Sequence, residues 1–326
     1  MVDNTAIIHK MNESGRNRQP FVFVIDFEMN EPLFFPLPLR SSSELYYDFN
    51  GFTNCIYKSR PKIPEFLFQK FPVTFSVYQK SFELVQKNLH FGNSYLVNLT
   101  LPTRIKTTLT LDEIFHFSQA KYKLLFENKF VVFSPEIFVQ ISEDGLISSF
   151  PMKGTIDAAI ENAEQIILND KKEFAEHCTI VDLIRNDLSM VAKNVHVEKF
   201  RYIDRIKTND KELLQVSSKI CGKLENDFYD HLGDIIFTLL PAGSISGAPK
   251  KKTVEIIKEI ENYSRGYYTG IFGYFDGTKL DSGVMIRFIE NIDGELIYKS
   301  GGGITVYSNP ELEYQELIDK VYVPFV

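Results

Sequence analysis

The sequence predicts an α+β fold, and three observations carry that prediction. β-Branched and aromatic runs over residues 267–275, 280–290 and 295–300 read as consecutive strands meandering near the C-terminus. Helical periodicity marks residues 76–90 and a segment running from Pro249 to about residue 260. No repeat, low-complexity tract or linker divides the 326 residues, a length that a large α/β fold can reach around one core.

The elements follow in order. Residues 1–20 are polar and end in Gly15-Arg16-Asn17-Arg18-Gln19-Pro20, which predicts a ragged terminus. Residues 21–27 are β-branched and aromatic without clean alternation, as a buried strand is. Frequent proline over 30–75 breaks any long helix, so 21–75 reads as a reduced N-terminal section packed on the core, with the main domain over 76–326. A helix over 76–90 leads to a strand over 95–99, a short helix over 111–117, and strands over 130–133, 136–141 and 145–150. Residues 160–188 and 230–239 read as helical, and a last helix opens at Pro310 and runs to about residue 320.

Composition narrows the function classes. The chain is 44% hydrophobic, with 28 Phe, 16 Tyr and no Trp, and 24% charged, the balance of a soluble globular protein. A formal charge of -7 argues against nonspecific binding to nucleic acid. No apolar run approaches the roughly 18 to 20 residues of a membrane-spanning helix, and no signal-peptide core opens the chain, so the expected location is the cytoplasm. Cys55, Cys178 and Cys221 lack metal-ligand spacing and read as reduced, buried thiols.

Five constellations carry chemistry. In Pro151-Met152-Lys153-Gly154-Thr155 a cation sits between proline and glycine on a predicted turn, which makes Lys153 a candidate nucleophile, although an ordinary loop has the same texture. From Glu176 to Leu188 a helical stretch gathers Glu176, His177, Asp182, Arg185 and Asp187, a set that also suits a solvated face. Small residues from Pro241 to Lys250, Ser246 among them, precede a helix whose N–H groups favour either an anion or a plain cap. Gly301, Gly302 and Gly303 end a strand where bare amides can approach a carboxylate, or where the chain simply turns. Glu313 and Glu316 share one face of the last helix, where like charges repel unless a cation such as magnesium lies between them, and where glutamates also favour the helix dipole.

Together with Arg265-Gly266-Tyr267-Tyr268-Thr269-Gly270, Gly273-Tyr274 and Ile286-Arg287, these motifs occur in the same order in the chorismate-utilising enzymes, which the chain resembles over about residues 75–326. The resemblance implies a large sandwich of two antiparallel sheets wrapped by helices. A lysine in the Pro-x-Lys-Gly-Thr motif is typical of aminodeoxychorismate synthase component I, whereas anthranilate synthases usually carry alanine there. The implied activity is therefore magnesium-dependent amination of chorismate to 4-amino-4-deoxychorismate, for 4-aminobenzoate and folate biosynthesis. Ammonia would come from a separate glutamine amidotransferase subunit, since this chain has no glutaminase motif.

In that family chemistry the resemblance implies that Lys153, uncharged, adds to C2 of the ring as the C4 hydroxyl leaves, and is expelled when ammonia attacks C4. Glu176 would be catalytic and, with Glu313 and Glu316, would hold Mg2+. Tyr268 and Arg287 would bind the enolpyruvyl carboxylate with the amides of Gly302 and Gly303, while Thr155 and Ser246 would be wall contacts. Two residues depart from the pattern. Leu96 stands where isochorismate and salicylate synthases place a basic lysine and where glutamine is common in amine-transferring members, and Leu214 stands where many relatives have histidine. The proton for the leaving hydroxyl must then come from water, Lys250 or a neighbouring acid, and His177 reads as structural. Anthranilate synthase component I and a non-catalytic chorismate-binding subunit are the alternative functions.

Overall fold

Every residue of the strand Phe21–Ile25 is buried. Phe21, Phe23 and Ile25 enter one apolar cluster and Val22 and Val24 another, because successive side chains leave a strand on opposite faces and both faces are covered here. The computed structural model describes residues 3–39, 44–55, 63–207 and 212–325, and parts of the N-terminal stretches discussed above lie outside them. Among the described residues two nine-stranded antiparallel sheets form a sandwich wrapped by helices. No described helix is long and apolar enough to cross a membrane.

The first sheet runs Met152–Asp157, Glu212–Lys223, Leu146–Ser149, Ile137–Ile141, Leu280–Val284, Ile271–Phe275, Phe21–Ile25, Leu33–Pro36, with Lys193–Lys207 also paired to Glu212–Lys223. The second runs Gly247–Ala248, Leu96–Thr107, Glu295–Ile304, Phe288–Ile292, Phe130–Ser134, Tyr122–Phe126, Leu45–Phe49, Phe52–Thr53, with Phe68–Phe71 on Leu96–Thr107. Alternation divides the core of the second sheet. Leu124, Phe126, Phe130 and Val132 face the first sheet, whereas Leu125, Val131 and Phe133 pack under the helix Leu111–Phe117.

Several elements differ from expectation. The polar start is not ragged: it forms the helix Thr5–Arg16, because Ile7, Met11 and Ser14 recur on one face and bury against the segment holding Tyr229 and Leu232. The described residues of 21–75 are not a layer packed on the core but contribute strands to both sheets. Residues 160–188 split into Ala163–Asn169 and Lys171–Ser189 at Asp170, whose side chain caps the second helix by accepting from the Glu173 amide. The run 280–290 is two strands in different sheets, and the chain crosses between them at 285–287.

The predicted turn at Lys153 is a strand with a bulge. Lys153 pairs with Val216 and Thr155 with Gln215, which leaves Gly154 as the extra residue at a φ of 76° that favours glycine. This irregularity, the sheet crossing at Arg287 and the helix opening at Pro310 converge on one part of the molecule.

Candidate active site

A cavity of about 490 Å³ opens there, and it is lined by residues from both sheets and two helices. Lys153 reaches into it from the bulged strand, with Nζ 3.3 Å from Glu176 Oε2 on the helix Lys171–Ser189. Across the cavity, a Cβ on Gly303 would lie 3.2 Å from the same Nζ and 3.0 Å from Leu96 Cδ1. A side chain at 303 would therefore press on the amine, and glycine there lets the amine approach bare backbone.

Glu313 and Glu316 project into the same space from the helix Pro310–Asp319, which Asn309 caps by accepting from the Leu312 amide at 3.0 Å. Their carboxylates lie beside Gly302, with Glu316 Oε1 3.5 Å and Glu313 Oε2 3.6 Å from where its Cβ would be. Lys320 donates to Glu316 Oε1 at 2.6 Å and to the Gly301 carbonyl at 2.8 Å. Among the described residues no three of His, Cys, Asp and Glu already converge as a metal-binding group. The donor chemistry nevertheless suits magnesium, which takes one or two carboxylates and completes its shell with water and substrate oxygens.

The electrostatics correct one expectation. Burial pushes the Lys153 amine down, but the carboxylates of Glu176, Glu173 and Glu316 raise it, and the net direction is upward. In the field of these carboxylates alone the amine is an ammonium, not the neutral group expected from the sequence. Glu136 moves up as well, mainly through burial, which the Ser244 hydroxyl bonded to its Oε1, Lys153, Arg287 and Lys320 only partly offset. It lies in the cavity wall as a carboxyl that burial favours in its acid form. Burial also pushes Lys320 down, against the pull of Glu316.

Nine of the residues singled out in the sequence line this cavity: Lys153, Thr155, Glu176, Tyr268, Arg287, Gly302, Gly303, Glu313 and Glu316. Arg287 sits at the sheet crossing with a φ of 55°, and its Nε donates to Tyr322 Oη at 3.4 Å. Tyr268 is buried, which pushes its phenol up. Ser246 is not brought into the cavity. It is fully buried and its hydroxyl donates back to the Ala242 carbonyl at 2.9 Å, while Ser244, two residues earlier, faces the cavity instead.

Lys250 is likewise occupied elsewhere, pairing with Asp187 at 2.7 Å and donating to the Leu239 carbonyl at 3.0 Å. His177 is buried with Nε2 2.6 Å from Ser218 Oγ, and burial, with Arg201 and Lys153 nearby, pushes it down to about 4, so it is neutral and structural. Sequence reasoning missed Glu136, Glu173, Ser244 and Lys320 as cavity residues. For Lys320 a signal existed, because it follows Glu316 by one helical turn on the same face.

Comparison with known proteins agrees with this architecture. Residues 54–325 match the family described as chorismate binding enzyme. The chain is 53% identical over 317 residues to an uncharacterised PabA-like protein of Haemophilus influenzae, covering 97% of this chain and 96% of that one. It is 33% identical over 262 residues to aminodeoxychorismate synthase component 1 of Salmonella typhimurium, covering 75% of this chain and 56% of that protein. The menaquinone-specific isochorismate synthase MenF of Escherichia coli superposes with a TM-score of 0.72 at 17% identity, over 97% of this chain and 80% of that one, a likeness of fold. By a family match spanning most of its length, the chain belongs to the chorismate binding enzymes.

Proposed function

We propose that this protein aminates chorismate to 4-amino-4-deoxychorismate in 4-aminobenzoate and folate biosynthesis, with Lys153 as covalent nucleophile and ammonia from a glutamine amidotransferase subunit. The placement of Lys153 carries the reading: its amine enters the cavity beside Glu176 and against the bare face of Gly303. Likeness to an aminodeoxychorismate synthase component 1 supports it.

Glu176, in contact with Nζ, accepts a proton from the Lys153 ammonium. The freed electron pair forms the Nζ–C2 bond, the ring electrons shift, and the C4–O bond breaks. Glu136, which lines the cavity and whose carboxyl burial pushes up, gives its proton to the departing hydroxyl, which leaves as water. Ammonia then bonds to C4, the electrons shift back, and the C2–Nζ bond breaks to return the free amine. The new C4 ammonium passes one proton to Glu136, and Glu176 returns its proton to Lys153, so chorismate and ammonia become product and water. Arg287 and Tyr268 face the cavity to hold the enolpyruvyl carboxylate, for which a planar guanidinium is suited. Glu176, Glu313 and Glu316 would hold magnesium, which when bound would supply Lewis-acid neutralisation of the ring carboxylate. Leu96, buried beside Gly303, offers no competing base.

The decisive experiment incubates the protein with chorismate, magnesium and ammonium over a pH series and identifies the product. Aminodeoxychorismate supports the reading, whereas anthranilate, isochorismate or unreacted chorismate overturns it. Gly303→Ala is expected to lower turnover about ten-fold by displacing the amine a few tenths of an ångström, with little change in the thermal midpoint. Wild-type turnover in that variant would remove the close approach from the mechanism. Glu316→Gln is expected to raise the magnesium concentration for half-maximal activity about ten-fold or more, and an unchanged titration would take Glu316 out of the ligand set.

A further inference from the structure

Arg265 is among the largest fully buried side chains of the protein, yet it does not line the cavity. All five of its N–H donors are engaged. Nε donates to Glu261 Oε2 at 2.8 Å, and Nη2 donates to Glu261 Oε1 and to the Asn98 carbonyl, each at 2.7 Å. Nη1 donates to the Ile245 carbonyl at 2.9 Å and to Thr269 Oγ1 at 3.3 Å. The guanidinium lies 4.6 Å over the Phe27 ring.

Asn98, Ile245 and Thr269 all line the cavity, and they come from three separate stretches: the strand Leu96–Thr107, the turn Gly243–Ile245, and the loop before the strand Ile271–Phe275. Glu261 extends the node, since its Oε1 also accepts from the Thr100 amide at 2.8 Å and hydroxyl at 2.9 Å. That strand pairs Asn98 with Gly303 and Leu99 with Gly302, so the glycine wall facing Lys153 is held by the same connection.

A fully buried ion pair contributes little net stability compared with apolar side chains of the same volume. What apolar side chains cannot do is fix the direction of two carbonyls and a hydroxyl on three chain segments. We propose that Arg265, clamped by Glu261, is a positioning residue that sets the spacing between the Tyr268–Thr269 side of the cavity and the Gly302–Gly303 side. It acts through Asn98, Ile245 and Thr269 and touches no reacting atom. This inference rests on the reading of the cavity as the amination site.

The test compares Arg265→Lys and Glu261→Gln with the parent, using kcat and KM for chorismate per folded molecule, calorimetric binding of chorismate, and thermal unfolding. Lysine retains the charge but cannot span Asn98, Ile245 and Thr269 together. The expected result for Arg265→Lys is a fall in kcat of about 100-fold, the scale of an ångström-sized misplacement, with KM within about three-fold. Glu261→Gln is expected to give a smaller loss, and the double variant to be no worse than Arg265→Lys, because both act through one node. Parental kcat in folded Arg265→Lys, whatever its thermal midpoint, overturns the inference. Should that variant not fold, a parental kcat in Glu261→Gln overturns it equally. If the parent makes a product other than aminodeoxychorismate, the proposed function fails, but the kcat ratio on that product still decides the positioning role.

Discussion

Lys153→Ala is expected to lower amination at least about 1000-fold while chorismate affinity, read by calorimetry, stays close to that of the parent, because a covalent nucleophile is lost and the carboxylate-binding groups are not. Lys153→Arg sharpens the test. Arginine keeps a positive charge beside Glu176 but stays protonated, so it cannot form the bond to carbon. If the Lys153→Arg variant retained more than a few per cent of the turnover, the lysine would be acting as a charge and not as a nucleophile. Intact-mass analysis of the parent with chorismate and no amine source gives the complementary result, an adduct on the peptide that contains residue 153.

Glu136→Gln is expected to cost about 100- to 1000-fold in turnover, the range for losing a general acid. Its pH dependence identifies the role. Burial raises the Glu136 carboxyl, so it keeps its proton to higher pH than an exposed glutamate, and activity that needs the acid form declines as pH rises through that raised value. The variant has no proton to lose, so its residual activity should lack that decline. Stability follows the same sign. A carboxyl raised on folding contributes stability that is present at acid pH and lost as pH rises, so Glu136→Gln should gain stability relative to the parent as pH increases. A variant with the parental profile would assign the proton donor elsewhere.

How far the sequence makes this legible depends on what each segment buries. Phe21–Ile25 and the helix Phe75–His90 are readable because apolar side chains mark their covered faces. The hairpin of Lys193–Lys207 and Glu212–Lys223 is not: the first of these strands, at the sheet edge, is largely charged and has no fully buried residue among those described, so it lacks an apolar face to show a period. In the site, the ordered motifs bring out most cavity residues, but they do not separate Ser244 from Ser246. The segment is one turn of 3-10 helix followed by a two-residue strand, and no regular period says which hydroxyl faces inward. Glu136 is hidden for another reason. It is an ordinary charge between the strands Phe130–Ser134 and Ile137–Ile141, and only the meeting of the two sheets places it in the cavity.

The pairing of Phe21–Ile25 with Ile271–Phe275, and of Leu96–Thr107 with Glu295–Ile304, also governs how the molecule is made. Neither partner strand is made until long after Phe21–Ile25 and Leu96–Thr107, so both sheets wait unfinished while the intervening residues are translated. Such distant contacts make folding slow and leave strand borders uncovered in the nascent chain, where chaperones act.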